Sequence, residues 1–413
     1  MTSIVAVLNK HAVAIAADSA VTMGNTHKVV NSANKIFTLS KYHPVAVMIY
    51  GNASFMDVPW DIIIKEYRKF LGEKSYLSIG EYRDNFIAFL HQKQFFCDTQ
   101  TQHAFLNSML DNFYNLCCKE IYKEKNITNV DLTSALIEGK LSSCLAINKT
   151  ADKCPEFESY TFEEFLHSVE EDFKKYASDK KIDNYRLLSE SYFYYLCATF
   201  SEINYTGLVF VGYGEDDIYP SLMSINVSSI VVDNHLKYHL GEGVEISEHG
   251  TAASIIPFAQ IDVTQTIVRG INPGFQDIIT NVITKSIKSF CNTITNIIDS
   301  RPENKDVSLS IKNLDLKEID RLIVTEINKE MKMSYTDPLM GTVVALDKED
   351  MANMARSFIS LTSLVRRMQP AEETVGGPVD VAVISKGDGF IWINRKHYFK
   401  PEFNAQFFNN YFK

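Results

Sequence analysis

Two short apolar runs near the start of the chain, SIVAVL at 3–8 and AVAIAAD at 12–18, constrain the fold more than any other feature. Both are rich in Val and Ile and suit β-strands, and the polar Asn9-Lys10-His11 between them reads as a tight connection. Together they predict a β-hairpin. A turn centred on Lys10 makes opposed residues sum to twenty, pairing Leu8 with Ala12, Ile4 with Ala16 and Thr2 with Asp18. Directly opposed Cβ atoms lie ~4.5–5.5 Å apart. This register therefore puts the Thr2 hydroxyl beside the Asp18 carboxylate.

An initiator Met is normally trimmed when the next residue is small, and Thr qualifies. Trimming would leave Thr2 with its own nucleophile and its own base, because a free α-amino group titrates near ~7.7–8.0. Threonine paired with its terminal amine is an activated nucleophile. The same hairpin also suits an ordinary β-protein in which Asp18 merely closes a strand.

The residues that follow sharpen the choice. From Asp18 the chain reads D-S-x-x-T-x-G-N, then N-x-x-K-I around Lys35, then an apolar strand ending in Gly51-Asn52-Ala53. This ordered string over about the first 55 residues resembles the proteasome β-subunit family, an N-terminal nucleophile (Ntn) hydrolase family, and within it the HslV-type bacterial threonine peptidases. The resemblance implies that Thr2 is the nucleophile and Asp18 its partner carboxylate. It implies that Lys35 is the cation that favours the deprotonated hydroxyl and amine, and that Gly51 supplies an oxyanion-hole amide. One residue is inserted between Gly24 and Lys35, and two more before Gly51.

Two later stretches extend the likeness. GLVFVGYGEDDIYPSLMSINV at 207–227 reads as two strands around a Glu215-Asp216-Asp217 turn. ETVGGPVDVAVISKGDGFIWI reads as a hairpin, Val379–Ile384 and Phe390–Ile393, about a Lys386–Gly389 turn. Before it, Asp347 caps a helix over about 348–368, with Met351, Ala355, Phe358, Leu361, Val365 and Met368 as its apolar stripe. The family carries D-x-x-S before the G-G pair. Here Glu372-Glu373-Thr374-Val375 precedes Gly376-Gly377, so Glu372 stands at the aspartate position and is by this resemblance a catalytic candidate supporting the terminal amine, with Glu373 as the alternative, while no hydroxyl stands at the serine position, though Thr374 is adjacent. Ser247, His249 or Thr251 are candidates to replace a second family serine.

The resemblance implies an α+β protein, a four-layer αββα Ntn-hydrolase sandwich. Its core spans 1–90 and 205–413, and 91–204 form a large helical insertion. In the insertion Thr161 and Glu164 predict a capping box, followed by Phe162, Phe165, Leu166, Val169, Phe173 and Tyr176 at helical spacing. A second helical region is expected from about 252 to 299, broken at Gly270, Pro273 and Gly274. Residues 300–340 carry no clear pattern.

Composition excludes several functions. The net charge of −10 gives no footprint for nucleic acid or an anionic membrane. No apolar run reaches the ~18–20 residues of a membrane span. Seven Cys without a CxxC or paired spacing fit a reduced cytoplasm. The vicinal Cys117 and Cys118 read as packing. His235 and His239 are four apart, but in strand or loop context rather than on a metal-binding helix.

The expected activity is hydrolysis of an amide bond, most simply a peptide bond, through a covalent acyl-enzyme on Thr2 with no metal or organic cofactor. The partners implied are a peptide or protein substrate, further copies of the chain in a homo-oligomer, and an ATPase or other regulator. The aromatic tail FNAQFFNNYFK hints at self-association. An Ntn amidohydrolase acting on a small-molecule amide, or a non-catalytic proteasome-like scaffold, are the alternatives.

Overall fold

The structure is a computed structural model. It describes residues 2–23, 28–92, 98–125, 132–198, 205–230, 232–299, 311, 316–369 and 375–406. In chain order the first strands are β1 (Ser3–Asn9), β2 (Val13–Ala17), β3 (Val21–Met23), β4 (Lys28–Val30), β5 (Ile36–Thr38) and β6 (Val45–Gly51). They are followed by β7 (Ser54–Phe55), β8 (Val58–Pro59), α1 (Trp60–Leu71) and α2 (Ile79–Gln92). Then come α3 (Thr99–Lys125), α4 (Ser134–Asn148), α5 (Phe162–Lys180) and α6 (Tyr185–Cys197). The strands β9 (Thr206–Gly212), β10 (Ser221–Ile230), β11 (Leu236–Glu245) and β12 (Ala253–Ala259) precede α7 (Asp262–Arg269) and α8 (Pro273–Asp299). The chain continues through α9 (Leu316–Met331), α10 (Asp337–Ala345), α11 (Lys348–Met368), β13 (Asp380–Ser385) and β14 (Gly389–Asn394). The protein is thus mixed α and β with antiparallel sheets. Among the described residues no helix is long and apolar enough to cross a membrane.

Two compact units divide the chain. The first holds residues 1–33, 246–385 and 391–413. Its sheet has the order β12-β1-β2-β13-β14. One face, made by Val5, Val7, Ala14, Ala16, Val381 and Val383, packs on Met351, Ala355, Phe358 and Ile359 of α11. The small Ala side chains of β2 let that helix lie close, and each fully buried Val, Ile or Phe contributes about 1.5–3 kcal/mol.

The β1–β2 register differs from the expected one. Ile4 pairs with Ala17 and Leu8 with Val13, so opposed residues sum to twenty-one. The loop has two residues, not three. The reason is Asn9. Its backbone N–H donates to Ala12 O (3.1 Å), and its Oδ1 accepts the amides of His11 (2.9 Å) and Ala12 (3.2 Å). An Asn side chain that bonds the backbone two or three residues on closes a turn of its own. Its Nδ2 donates to Val343 O (3.0 Å) and Leu346 O (2.9 Å), tying the turn to the end of α10. Asn9 is fully buried, and these bonds satisfy it.

Residues 253–259, expected to be helical, form β12, which pairs with β1 from Ser3↔Ala259 to Asn9↔Ala253. ASIIPFA has no helical period, and the exposed edge of β1 decides its conformation. Pro257 is tolerated because β12 is itself an edge strand. The break at 270–273 matches expectation: Gly270 ends α7 in the left-handed region and Pro273 opens α8. On α11, Asp347 caps as expected, its side chain accepting from Asp350 N, but the buried stripe runs through Met351, Ala352, Ala355, Phe358, Ile359 and Thr362. Leu361 and Met368 are exposed.

The second unit holds 34–245 and 386–390. Its sheet has the order β11-β10-β9-β6-β5. Helices α1 and α2 cover one face with Trp60, Ile63, Tyr67, Phe86 and Phe89, against Val47, Leu208, Phe210 and Ile225. Trp60 Nε1 donates to Thr206 Oγ1 at 2.8 Å, so even the largest core side chain has its polar atom satisfied. The helices α3 to α6 build a separate aromatic cluster around Phe113, Phe165, Phe173, Tyr192 and Phe193. The capping box on α5 is present, with Thr161 and Glu164 bonding each other's backbone amides.

Candidate functional site

In the first unit, Thr2 stands just before β1 and Asp18 just after β2. Both are buried, Asp18 with 1 % of its surface exposed. The expected face-to-face pairing of these two residues is replaced by a one-residue offset that follows from the Asn9 turn. Asp18 instead meets Ser3. Its amide donates to Ser3 O (3.1 Å), and its Oδ1 accepts the Ser3 amide (2.9 Å). The carboxylate thus takes over the ladder at the point where β2 ends, directly beside the peptide that follows Thr2. Its Oδ2 accepts the amides of Ala20 (3.0 Å) and Gly376 (3.3 Å). A buried carboxylate needs such donors to offset its lost hydration.

Gly376 is a partner that the sequence pattern did not assign. The adjacent chain reinforces it: Ser19 N donates to Gly376 O (3.0 Å), and Ser19 Oγ donates to Pro378 O (2.5 Å). The G-G pair therefore belongs to the Asp18 neighbourhood by backbone rather than through a preceding acid and serine. Gly377 has φ +75°, and a Cβ there would lie 2.8 Å from that of Asn31. Glu372, Glu373 and Thr374 lie outside the described residues. Ser247 and Thr251 close a small loop through Ser247 N to Thr251 O (3.0 Å), and His249 is exposed in it.

Lys35 and Gly51 belong to the second unit. Lys35 immediately precedes β5 and is buried, 3 % exposed. Its carbonyl accepts the Ile49 amide from β6 (2.9 Å), which extends the β5–β6 ladder and anchors the lysine backbone. Gly51 ends β6, opposite Thr206 of β9. Its φ is +85°, and a Cβ built there would come within 2.4 Å of Tyr205 O. Only glycine meets both conditions without strain. The next amide, Asn52 N, donates to Tyr205 O (3.2 Å), so the chain turns sharply there.

The other candidates have structural explanations. His239 lies on β11 and His235 just before it, where its ring centroid lies 4.1 Å from that of Tyr160, the two rings tilted by 39°. Among the described residues no group of three or more His, Cys, Asp or Glu could hold a metal ion. Cys117 and Cys118 are buried in α3. Of the aromatic tail, residues 407–413 lie outside the described part.

No protein-family model matches this chain, and no curated protein matches it either.

Proposed function

We propose that the chain is an N-terminal threonine hydrolase that cleaves amide bonds, most simply peptide bonds, and that its sheets and helices form the four-layer αββα sandwich of Ntn hydrolases. The observation that carries this reading is the bonding of Asp18. A buried carboxylate, sixteen residues after Thr2 in the chain, is fastened to the amide that follows Thr2. Such an arrangement holds the backbone of a nucleophile still, and precise positioning is a large part of catalysis. A buried Lys35 and a Gly51 that admits no side chain are the further support.

In this mechanism Met1 is removed and Thr2 Oγ attacks the substrate carbonyl. The Thr2 amine takes the proton. Lys35 favours the deprotonated hydroxyl and amine, Asp18 holds the site together, and the Gly51 amide stabilises the oxyanion. The amine of the leaving group departs with a proton, and water then hydrolyses the ester to regenerate Thr2. Self-assembly into a homo-oligomer, a regulatory partner and a cytoplasmic setting belong to the same proposal.

The test is the intact mass of the purified protein, before and after exposure to a peptide epoxyketone, which reacts with a terminal threonine's hydroxyl and amine together. Loss of Met1 and one adduct, absent in Thr2→Ala, is the expected result. Retained Met1, or a trimmed chain that takes no adduct, counts against the mechanism. A panel of fluorogenic peptides and small amides then separates a peptidase from a small-molecule amidohydrolase.

A further inference from the structure

Two cysteines on neighbouring helices of the second unit face each other. Lys140 of α4 pairs with Glu120 Oε2 (2.7 Å) and Glu124 Oε1 (2.8 Å) of α3, which pins the two helices together at that level. One turn further along α4 stands Cys144, and about one turn back along α3 from Glu120 stands Cys117. Antiparallel helices bring such positions opposite each other. The Cys117 thiol accordingly donates to the Cys144 sulfur. Cys117 lies inside the aromatic cluster of α3 to α6, and Cys144 packs on its edge, half-buried. Cys118 adjoins Cys117 in the chain, but successive residues of a helix point about 100° apart. It meets the Tyr114 hydroxyl instead.

The pair is chemically asymmetric. The hydrogen bond from Cys117 favours the Cys144 thiolate, and the Lys140 ammonium adds to this. Burial and the carboxylates of Glu120 and Glu124 oppose it, yet the Cys144 pKa still falls below the ordinary thiol value. Cys117 shifts the other way, because the bond to Cys144 uses its proton and because it is buried. A partly exposed thiolate is the form that peroxides oxidise, whereas a buried protonated thiol is inert. A second pair, Cys154 and Cys197, supplies the contrast. Both are fully buried, Cys154 N donates to Cys197 O (2.8 Å), and Cys154 Sγ donates to Ala198 O (3.5 Å). Burial raises both thiols, that of Cys197 to about 12.

We propose that Cys144 and Cys117 form a reversible redox site that answers to hydrogen peroxide. The Cys144 thiolate attacks one peroxide oxygen and the O–O bond breaks. Cys144 becomes a sulfenic acid, and the other oxygen leaves as hydroxide, which the proton lost by Cys144 turns into water. Cys117 Sγ then attacks the sulfenic sulfur. The S–S bond forms, the S–O bond breaks, and the oxygen leaves as water with the Cys117 proton. Two thiols and one peroxide thus give one disulfide and two waters. Exchange with a dithiol restores both thiols. The bridge fixes α4 to α3 one turn beyond the Lys140 ion pairs. A disulfide made and broken in this way suits the reduced setting that the scattered cysteines suggest. The inference does not depend on Thr2 chemistry, and its test is read without turnover.

The test is peptide mapping of the full native chain after brief exposure to hydrogen peroxide, with free thiols blocked by N-ethylmaleimide and no reductant added. The expected product is the α3 peptide joined to the α4 peptide, fragmentation placing the link between Cys117 and Cys144. Near-ultraviolet dichroism should be retained, and dithiothreitol should return both thiols. Cys144 is expected to react at least about tenfold faster than Cys154 or Cys197, as thiolate character and access dictate. In Cys117→Ala the bridge should be lost and Cys144 should take dimedone, which traps sulfenic acids. Cys118→Ala should bridge as wild type does. The wild-type map decides the matter even where a variant fails to fold. A link through Cys118, a Cys154–Cys197 bridge that forms first, or a bridge that appears only once the dichroism is lost would overturn the proposal. So would a Cys144 that stays reduced, or one that passes to sulfinic acid without bridging.

Discussion

Asp18 and Ser3 bond each other twice, the Asp18 amide to Ser3 O at 3.1 Å and the Ser3 amide to Asp18 Oδ1 at 2.9 Å. The side chain continues a strand ladder that the backbone has stopped making, and so fixes the chain on both sides of the Thr2–Ser3 peptide.

Asp18→Ala should therefore destabilise the protein independently of any catalysis. Three amides, those of Ser3, Ala20 and Gly376, would lose their acceptor in a buried place. Each orphaned amide costs of order 1–3 kcal/mol, although the longest of the three bonds is worth least. The expected loss is about 3 kcal/mol or more in urea denaturation. Asp18→Asn, which keeps an acceptor for Ser3, should recover part of it. A loss under about 1 kcal/mol for Asp18→Ala would mean the amides find other partners.

Gly51→Ala should be costly for a geometric reason. The new Cβ would demand a left-handed backbone at φ +85° and meet Tyr205 O at 2.4 Å. Strain and overpacking together are expected to cost about 2–4 kcal/mol. The check is the shift in urea midpoint. An alanine variant as stable as wild type would show that the end of β6 relaxes freely.

Alkaline pH should unfold the second unit through its tyrosines. Burial is the leading cause that raises the phenols of Tyr50, Tyr67, Tyr160, Tyr176 and Tyr213 well above their ordinary value. In the unfolded chain they ionise near ~10. The unfolded state thus loses protons first, so stability is intact below about pH 10 and falls as pH rises beyond it. Tyrosinate absorbance should lag at first and then rise together with loss of near-ultraviolet dichroism. Smooth ionisation near pH ~10 with the dichroism retained would contradict this.

Much of the candidate site is readable along the chain because its parts are local. The strands of the first hairpin follow from Val- and Ile-rich runs around a polar turn, the α5 cap from Thr161 and Glu164, and the α11 cap from Asp347. Gly51 stands out as a glycine that ends an apolar strand. Gly376 as a partner of Asp18 is not readable in this way. Its amide arrives from 358 residues away, and a backbone amide leaves no mark on residue type. The only available sign was the G-G pair itself.

The register of the first hairpin shows where local pattern stops. Asn9-Lys10-His11 announces a turn, but whether two or three residues form the loop depends on the Asn9 side chain, which α10 holds from the far side. A one-residue difference moves Asp18 from Thr2 to Ser3. Likewise ASIIPFA becomes β12 because β1 offers it an unpaired edge, and α11 buries Ile359 and Thr362 rather than Leu361 because those positions fall on the side that packs against the core. Side-chain period, turn chemistry and caps act over a few residues and are written in the chain. Register, pairing partner and buried face depend on contacts between segments hundreds of residues apart, and those exist only once the chain has folded.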